Sequence, residues 1–453
     1  MTSTDVDVVV AGGGAAGLAA AISASDAGMS VALLEASETF RTGNNTSMST
    51  SMIPSAGSRW QAALDIEDSP DVLYEDTMRK TKNQADPVAT RALAEVSVPL
   101  GEWLADECKI PLSLVTDVWY PGHSRLRHLC VPDRAGRTLH KHLLTAAEAR
   151  PEITLITPLR AVDFEEQSAR VVRVRAERPD GQGESLTARA LVLATNGFGA
   201  NRDLVQRYIP EIAEGLYFGG DGSRGDALLL GERLGADVGF LGSYQGHGSV
   251  ATPHGVLLTW TTVMNGAFVV NREGERFGDE STGYSEYAVP VLQQPDGEAW
   301  VIYDEAIQEK ATPFADYQDL LTAKGVRWAD DAAALAGIIG APEEALADTV
   351  TAAASYGRKE AEDPFGRTLW PHVLEPPYAC VKVTGALFHT QGGLRVDGHG
   401  AVLRDGRPIP GLYAAGGAAA GISGNGAEGY MSGNGLLSAL GLGYLAGRDI
   451  AAT

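Results

Sequence analysis

Three glycines near the start of the sequence have a spacing that could hold a pyrophosphate. Gly12, Gly14 and Gly17 lie in "AGGGAAGLAAA" with the pattern G-x-G-x-x-G, and Glu35 follows about 20 residues further on. In such a loop the first glycine allows a tight turn, the second lets a phosphate approach the backbone, and the third lets helix and strand touch. An acid at the position of Glu35 can bind ribose hydroxyls. These residues predict a dinucleotide site without separating FAD from NAD.

The surrounding sequence supplies the elements that would position this loop. Residues 6–11 read as a strand, 15–27 as an alanine-rich helix that ends at Gly28, and 31–34 as the next strand. The amino terminus of that helix would face the phosphate charge. The pattern predicts a Rossmann-like α/β fold. The alternative is a glycine-rich turn without a ligand, with Glu35 an ordinary surface acid.

Three later segments favour FAD over NAD. Residues 186–204, "LTARALVLATNGFGANRDL", predict a strand that returns to the dinucleotide, and 409–421, "IPGLYAAGGAAAG", predict another. Residues 435–448 predict a helix preceded by "SGNG". Its free amides would suit the pyrimidine edge of a flavin, where negative charge collects on reduction. A simple buried helix is the alternative, although such a helix would favour leucine over this much glycine.

Composition bounds the remaining possibilities. The chain has 453 residues, of which 44% are hydrophobic and 54 are glycine, and its formal net charge is -22. This length predicts two domains, or one large domain with an insertion. The acidic balance argues against binding to nucleic acid or to an anionic membrane surface.

The cysteines and the apolar segments indicate whether the chain holds a metal and where in the cell it works. Cys108, Cys130 and Cys380 are far apart and form no CxxC, so neither a zinc site nor a redox disulfide is expected. We expect no metal and a reducing, cytoplasmic environment. The first residues lack the basic region of a signal peptide, and no apolar run is long enough to span a bilayer.

The motifs together resemble those of one flavoprotein family, which includes soluble fumarate reductases, tricarballylate dehydrogenases and 3-ketosteroid dehydrogenases. The resemblance covers nearly the whole chain and rests on the order and spacing of its motifs. Besides the glycine loop and the tail, these are "TGNNTSMSTSMIPSAG" (42–57), "LVLATNGF", "GSRGDALLLGERLGA" (222–236), "YQGHG" (244–248), "VVNREGERFGDES" (269–281), "DPFGRTLW" (363–370) and "FHTQGGLRVD" (388–397).

This resemblance implies a Rossmann-like FAD-binding domain interrupted by an α+β capping domain. We expect the FAD-binding domain at residues 1–245 and 365–453 and the cap at 246–364, with the substrate between cap and flavin. Membrane-bound succinate dehydrogenase relatives carry the flavin on a histidine in the segment matching 42–49, which reads "TGNNTSMS" here, so we expect non-covalent FAD. Its expected contacts are Gly12, Gly14, Ala15, Ala16, Gly17, Glu35, Ala36, Asn44, Asn45, Thr46, Ser47, Ala161, Val162, Ala194, Thr195, Asn196, Gly197, Asp226, Gly416, Gly417, Gly433, Asn434, Gly435, Leu436 and Leu437.

The resemblance also implies the chemistry. The family desaturates a CH–CH bond next to a carbonyl or carboxylate, or reverses that reaction, with hydride exchanged with flavin N5 and a proton carried by a side chain. Two arginines of fumarate reductases are replaced here by Tyr284, past "RFGDE", and by Tyr430, before "MSGNG". Arginine offers a fork for a carboxylate, whereas a phenol can donate to a carbonyl and, as phenolate, accept a proton. The change favours a ketone, or a larger acid, over a symmetric dicarboxylate.

Two histidines keep the pattern of fumarate reductases. His247 in "QGHG" and His389 in "FHTQGG" match positions that contact substrate oxygens in that family. In the expected mechanism, Tyr430 and the tail amides polarise the carbonyl while Tyr284 removes the neighbouring proton. A free phenol is a poor base at neutral pH. We therefore expect Arg276 or His247 to lower the pKa of Tyr284.

Other interpretations of these residues stay open. Tyr284 could be a core or rim residue of the cap together with Tyr287, and Arg276 could form a structural ion pair with Glu280. Residues 119–129, "WYPGHSRLRHL", could lie near the pocket or form a solvated loop.

Rival functions are open too. A fumarate-reductase reaction on a dicarboxylate would need other arginines, such as Arg125 or Arg367, as the clamp. A flavin monooxygenase or amine oxidase fits the later segments less well, and a non-catalytic flavin-binding sensor is a different class. The sequence holds no haem motif and no iron–sulfur cysteine cluster, so we expect an external electron carrier or oxygen. Substrate identity, direction and oligomeric state stay undetermined.

Overall fold

The computed structural model describes residues 5–168 and 171–453. Its first sheet is mostly parallel and contains strands from both ends of the chain. This first sheet has six strands, and all neighbours are parallel except the first pair. Its central strand begins at Val8, two residues later than predicted, and all four of its residues are buried. In spatial order the strands are Ala401–Arg404, Arg407–Ala414, Ala190–Leu193, Val8–Ala11, Val31–Leu34 and Ile153–Ile156.

Two helices pack closely beside this sheet. The first helix, Ala15–Asp26, follows the glycine loop, and the last helix, Asn434–Ala452, lies against it. A Cβ on Gly443 would lie 2.3 Å from the Ala16 carbonyl oxygen, and one on Gly447 would lie 2.7 Å from another carbonyl of the first helix. Real side chains do not approach so closely, so these tail glycines allow the two helix backbones to touch.

A second sheet of seven strands carries two of the predicted catalytic residues. Its longest strand, Tyr378–Thr390, pairs antiparallel with Tyr244–Ala251 and with Glu298–Asp304. His247 and His389 therefore lie on neighbouring strands. The remaining members are Val256–Leu257, Phe268–Val270, Leu216–Tyr217 and Arg327–Ala329. Strands from both sides of the expected cap join this sheet, and the division at 246 and 364 stays a prediction.

The other elements connect and cover the two sheets. Smaller sheets are formed by Ile53–Pro54 with Ser113–Leu114 and His128–Cys130, by Arg160–Ser168 with Val171–Glu177 and Gly183–Ala188, and by Val238–Gly239 with Gly393–Leu394. The other α-helices are Arg59–Ala62, Pro70–Lys80, Pro87–Asp106, Gly136–Glu148, Arg202–Tyr208, Asp226–Arg233, Thr261–Met264, Ala288–Leu292, Glu305–Ala311, Ala315–Thr322, Ala332–Ile339 and Glu343–Gly357. Short 3-10 turns occur at Pro210–Ile212, Glu280–Thr282, Pro295–Gly297 and Gly416–Ala418.

The α/β class and the parallel dinucleotide sheet are confirmed by this architecture. One apolar core joins the first sheet to the first and last helices, and a second core lies under the second sheet. Within the described parts of the chain, no helix is both long and apolar enough to cross a membrane. The same residues contain no cluster of three or more side chains that could hold a metal ion.

Candidate active site

A cavity of about 420 Å³ runs from the glycine loop to the second sheet. Most of the predicted cofactor contacts line it. These are Gly12, Gly14, Ala15, Ala16, Glu35, Ala36, Asn44, Asn45, Thr46, Ala161, Ala194, Thr195, Asn196, Asp226, Gly416, Gly417, Gly433, Gly435 and Leu436. Six predicted contacts lie outside the lining: Gly17, Ser47, Val162, Gly197, Asn434 and Leu437.

The glycine loop has the geometry that its spacing predicts. Gly12 has φ +116°, and a Cβ there would lie 2.3 Å from the Ala194 carbonyl oxygen. A Cβ on Gly17 would lie 1.8 Å from the Gly12 oxygen, so this glycine serves helix packing behind the cavity. A Cβ on Gly14 would meet only Thr46 Oγ1, at 3.6 Å, which leaves its cavity side open to a phosphate.

Side chains hold this loop from several directions. Glu35 accepts from the Gly13 amide (2.7 Å) through one oxygen and from the Ser37 amide (2.7 Å) through the other. Thr46 Oγ1 accepts from the Ala15 amide at 2.9 Å, and His140 Nε2 donates to the Gly13 carbonyl at 2.9 Å. A carboxylate has about four lone-pair sites, so Glu35 keeps capacity for a ribose hydroxyl.

Two of the predicted residues outside the lining support residues that do line it. The Ser47 amide donates to Asn44 Oδ1 at 2.9 Å, and the Gly197 amide donates to Asn196 Oδ1 at 2.9 Å. A Cβ on Gly197 would lie 2.0 Å from Thr390 Oγ1, which explains the need for glycine there.

The amino terminus of the last helix forms part of the opposite wall. Gly433, Gly435 and Ser438 line the cavity there. Ser438 Oγ and both amide atoms of Asn434 are buried without a hydrogen-bond partner among the described residues. Buried polar atoms without partners are costly. Together with the glycine loop, they fit a long polar ligand such as FAD.

The four predicted catalytic side chains meet at the end of the cavity next to the second sheet. The ring centroids of His247 and Tyr284 are 4.8 Å apart, those of Tyr284 and Tyr430 6.0 Å, and those of His389 and Tyr430 5.7 Å. All four line the cavity, although four separate segments supply them. We call this region the substrate end.

A hydrogen-bond chain sets the proton position of His389. Gln391 Oε1 accepts from the Ser423 hydroxyl at 3.1 Å, so the Gln391 amide nitrogen faces His389 Nδ1 and donates to it at 3.0 Å. The Thr390 carbonyl oxygen also lies 3.4 Å from this Nδ1, but the Gln391 contact is the shorter one and favours a proton on Nε2 of His389. Burial lowers its pKa to about 4, so the ring is neutral near pH 7. A Cβ on Gly435 would lie 3.1 Å from that Nε2, so glycine keeps the donor accessible.

His247 has the opposite arrangement. The Ser249 hydroxyl donates to the Leu258 carbonyl at 2.7 Å, so it accepts from His247 Nδ1 at 3.1 Å. Nε2 of His247 then bears a lone pair and accepts rather than donates. Burial lowers the pKa of this ring to about 3, and it stacks between Tyr284 and Phe388 (5.0 Å).

Both phenols at the substrate end stay protonated near neutral pH. Burial raises the pKa of Tyr284 well above its ordinary value, and burial also raises that of Tyr430, where the Gly435 amide and Tyr284 partly offset the effect. The expectation that Arg276 or His247 lowers the pKa of Tyr284 is therefore wrong.

The physical reason is that neither group offers a free positive charge. Arg276 pairs with Glu280 (2.8 Å) and Asp363 (2.9 Å), away from Tyr284. Its alternative role as a structural ion pair is the one the structure shows. His247 is held neutral by burial.

Ser432 is a substrate-end residue that the sequence analysis missed. It lines the cavity two positions after Tyr430, and its hydroxyl favours the ionised form of Tyr284. Its signal lies in "YMSGNG", in which the sequence analysis selects Tyr430, Asn434 and the glycines but not the serine. An apolar wall also went unpredicted, and it consists of Met52, Tyr120, Phe218, Leu257, Trp260 and Phe388.

No arginine or lysine lines the substrate end within the part of the chain that the structure describes. Among the described residues that line the cavity, Arg160 is the one such cation, and it pairs with Asp226 at the dinucleotide end. Arg125, a suggested clamp, donates to the Glu67 and Ser124 carbonyls instead. Arg367, the other suggestion, is buried against Glu280 (3.0 Å). Neither arginine lines the cavity, so neither replaces the missing clamp.

Residues 119–129 lie beside the cavity, which agrees with the first of the two interpretations, and they are not a solvated loop throughout. His123, Arg127 and His128 are buried, at 4%, 0% and 4% exposure, while Tyr120 lines the cavity. This segment lies directly behind Ser432, because both histidines contact its carbonyl oxygen.

Comparisons with known proteins agree with this geometry. A family model described as an FAD binding domain matches residues 7–436. The NADH:fumarate oxidoreductase of Klebsiella pneumoniae (strain 342) is 29% identical over 98% of this chain, which spans only 47% of that relative.

Two solved structures cover almost the whole chain. An open conformation of a flavocytochrome c3 fumarate reductase has TM-score 0.81 and 27% identity over 99% of this chain and 78% of its own. The 3-ketosteroid-Δ4-(5α)-dehydrogenase of Rhodococcus jostii RHA1, solved with 4-androstene-3,17-dione, has TM-score 0.76 and 26% identity over 100% of this chain and 98% of its own. These similarities confirm the predicted resemblance to fumarate reductases and 3-ketosteroid dehydrogenases.

Proposed function

We propose that this chain, which belongs to the FAD binding domain family, exchanges hydrogen with a carbon–carbon bond beside the carbonyl of an uncharged ketone. The observation that carries the proposal is the substrate end itself. It holds two protonated phenols, Tyr284 and Tyr430, and two neutral imidazoles, His247 and His389, with no arginine or lysine among its described residues.

The comparisons confirm the broader predictions on which this proposal rests. The cofactor is FAD, and the class is that of FAD-dependent oxidoreductases acting on CH–CH or C=C bonds. The substrate and the residues that act on it are proposals.

The residues that would hold FAD follow from the lining. The Gly12–Gly14 loop and the first helix would hold the pyrophosphate, Glu35 the ribose, and the amino terminus of the last helix the ring edge. Bound FAD would supply the hydride acceptor or donor for the substrate carbon.

We propose that the FAD is not covalently attached. Asn44, Asn45 and Thr46 line the cavity where a histidine would be needed, and the two lining histidines are at the substrate end. Acid or heat denaturation should therefore release all the flavin into the supernatant. Yellow colour that stays with the precipitated chain would contradict this.

Two donors converge on the position of a substrate carbonyl. Tyr430 Oη accepts from the Gly435 amide, so its own proton is free to be donated, and His389 offers Nε2–H from the neighbouring strand. Hydrogen bonds to a carbonyl oxygen stabilise the enolate-like charge that develops when the neighbouring carbon gains or loses a proton.

A hydroxyl pair would carry that proton. Ser432 and Tyr284 lie together at the same end, and both are proton-bearing at neutral pH. In this state they can donate a proton to an α-carbon, which is what reduction of an enone requires. Desaturation is the reverse reaction and needs the deprotonated form, so it is favoured at high pH.

The charge of the substrate follows from what surrounds it. A dicarboxylate would bring two negative charges into a site whose imidazoles are neutral and whose other described lining is apolar or, as at Gln245 and Thr259, polar but uncharged. Burying an unpaired charge costs on the order of several kcal/mol for each ion. A ketone with an apolar body matches the same walls, and the Rhodococcus structure holds a steroid ketone.

A dicarboxylate reductase is the second candidate. It is favoured by the fumarate-reducing relative and by His247 and His389, which keep the expected pattern. The missing cationic clamp at the substrate end weighs against it.

Reoxidation of the reduced flavin distinguishes the two. Holoenzyme reduced anaerobically with dithionite is mixed with 4-androstene-3,17-dione, cyclohex-2-enone, fumarate or a tricarboxylate, and the return of flavin absorbance is followed. We expect an enone to restore the colour at least 100-fold faster than fumarate does. Faster recovery with fumarate would overturn the proposal, and a flavin that stays reduced with every compound would favour a sensor.

Further features of the proposal concern partners and location. Electrons are proposed to come from an external carrier when a C=C bond is reduced, and to leave to an external carrier or oxygen when a CH–CH bond is desaturated. We propose a reducing, cytoplasmic location, which is consistent with three cysteines that are free rather than joined in a disulfide.

A further inference from the structure

Two buried histidines share one carbonyl oxygen behind the substrate end. His123 Nε2 and His128 Nε2 each lie 3.0 Å from the Ser432 carbonyl oxygen, and their ring centroids are 4.4 Å apart. A carbonyl can only accept, so each ring must carry its proton on Nε2. Both lone pairs of the Ser432 oxygen are then occupied.

Burial, assisted by the neighbouring Arg127 cation, keeps both rings neutral. Burial lowers the pKa of His128 to about 4, and burial with the neighbouring His128 and Arg127 lowers that of His123 well below its usual range. Arg127 Nη1 donates to His123 Nδ1 at 3.4 Å, which agrees with a proton on Nε2.

The guanidinium is itself fixed by two buried acids. Arg127 pairs with Asp68 at 2.8 Å and with Asp76 at 2.6 Å, and its side chain is fully buried. A network of ion pairs and hydrogen bonds therefore runs from two carboxylates through Arg127 and His123 to the Ser432 carbonyl oxygen. This network does not reach the substrate.

We propose that His123 and His128 are positioning residues that fix Ser432 for proton transfer. The inference rests on the proposed function, in which Ser432 and Tyr284 carry the proton. Ser432 lies between Tyr430 and the start of the last helix at Asn434, so its backbone position sets where its hydroxyl points. A displacement of about 1 Å at a reacting group can cost about 100-fold in rate.

Two donors do more than one would. A single imidazole would satisfy the carbonyl but leave it a lone pair with which to accept a proton from a nearby hydroxyl. With both lone pairs occupied, the carbonyl cannot draw the Ser432 or Tyr284 proton away from the substrate. The pair therefore holds the loop and also removes a competing acceptor.

Substitution tests the clamp on the FAD-saturated enzyme. We expect His123→Leu and His128→Leu each to lower kcat about 10-fold, and the double variant about 100-fold, with the substrate KM and the FAD dissociation constant within two-fold of the wild type. The variants His123→Gln and His128→Gln keep an N–H donor at similar reach and should recover most of the rate. A double leucine variant with kcat within two-fold of the wild type would overturn the proposal.

Matched controls separate this effect from a general loss of buried histidine. His140 makes the same kind of bond, Nε2–H to the Gly13 carbonyl, but at the dinucleotide end. His140→Leu should raise the FAD dissociation constant, the quantity that the clamp variants leave unchanged. His399→Leu alters an exposed ring and should change neither quantity. If the leucine variants do not fold, His123→Asn and His128→Asn are compared with the glutamine variants instead. The shorter asparagine side chain places its N–H donor too far from the Ser432 carbonyl oxygen.

A second readout does not depend on turnover. Long-range ¹H–¹⁵N spectra of ¹⁵N-histidine-labelled holoenzyme should show two Nε2–H rings that stay neutral from pH 5 to pH 8 and disappear in the corresponding variants. Rings that titrate near pH 6.5, or that carry the proton on Nδ1, would overturn the clamp. If no ketone is turned over by the wild type, the proposed function fails, and these spectra still decide whether the histidines hold Ser432.

Discussion

The two ends of the cavity are built in different ways. At the dinucleotide end the contacts come from backbone amides and glycines within the short run Gly12–Gly17, supported by Glu35. At the substrate end they come from side chains on four distant segments: His247, Tyr284, His389 and Tyr430. The first end is a local motif that we propose binds the cofactor, whereas the second is a tertiary arrangement that we propose selects the substrate and reacts with it.

Charge separates the ends as well. The dinucleotide end has Glu35 on the loop and the Arg160–Asp226 ion pair. The substrate end is neutral, because burial lowers the pKa of its imidazoles and raises that of its phenols. On the proposed function, one cavity can therefore bind a charged cofactor at one end and disfavour a charged substrate at the other. Changes at one end should therefore leave the function of the other end intact.

The largest expected effect comes from removing one hydroxyl at the substrate end. Tyr284→Phe should lower the rate of enone reduction at least 1,000-fold, because general acid catalysis is worth about 10² to 10⁴ and Ser432 loses its partner. The flavin spectrum and FAD affinity should stay as in the wild type. Stopped-flow reoxidation measures the rate, and turnover retained within 10-fold would remove Tyr284 from this role.

The pH profile should differ between the two directions of the reaction. Burial raises the pKa of Tyr284 well above its ordinary value near 10. The phenol therefore keeps its proton throughout the range from pH 6 to pH 9. Enone reduction, which uses the protonated form, should be flat from pH 6 to pH 9. Ketone desaturation, which uses the phenolate, should rise about 10-fold per pH unit over the same range, or about 1,000-fold in all. Equal slopes in both directions would show that another group carries the proton.

The opposite end should respond to loss of its acid. Glu35→Ala removes the acceptor of the Gly13 and Ser37 amides and the expected ribose contact. Hydrogen bonds to charged groups are worth about 1.5–3 kcal/mol, so FAD affinity should fall about 10- to 100-fold. Titration of apoprotein with FAD, followed by flavin fluorescence, gives the constant. An unchanged affinity would show that Glu35 only supports the loop.

The smallest expected effect concerns the proton position of His389. Gln391→Leu removes the donor to Nδ1, so the ring can place its proton on either nitrogen. We expect kcat/KM for the ketone to fall about 5-fold, and Gln391→Glu, which offers an acceptor instead, should lower it further. Steady-state kinetics with FAD in excess makes the comparison. An improved kcat/KM in the glutamate variant would argue for the other tautomer.

The sequence predicts the dinucleotide end well because its physics is local. The glycine spacing, the short strands and the acid after the second strand all lie within 30 residues or so. The tail glycines predicted at the cofactor, Gly433 and Gly435, line the cavity, whereas Gly443 and Gly447, which the sequence analysis does not single out, allow contact between the first and last helices. The two helices are more than 400 residues apart in the sequence, so their contact leaves no local pattern that sequence analysis could detect.

The substrate end shows the same limit in its details. The resemblance to a known family selected four side chains that do meet, but not Ser432 between them or the histidines behind it. Arg276 was expected to activate Tyr284, yet Glu280 and Asp363 neutralise it. Which acid pairs with which arginine depends on tertiary packing, so a sequence motif alone cannot say where a free charge remains.

The most direct test of the neutral substrate end is a crystal structure of the holoenzyme with 4-androstene-3,17-dione. We expect a carbonyl oxygen within hydrogen-bond distance, about 2.6–3.2 Å, of both Tyr430 Oη and His389 Nε2, with the apolar body against Trp260 and Phe388. A steroid whose carbonyl meets neither donor would contradict the neutral substrate end. So would a second crystal in which a dicarboxylate is held there by an arginine that has moved in.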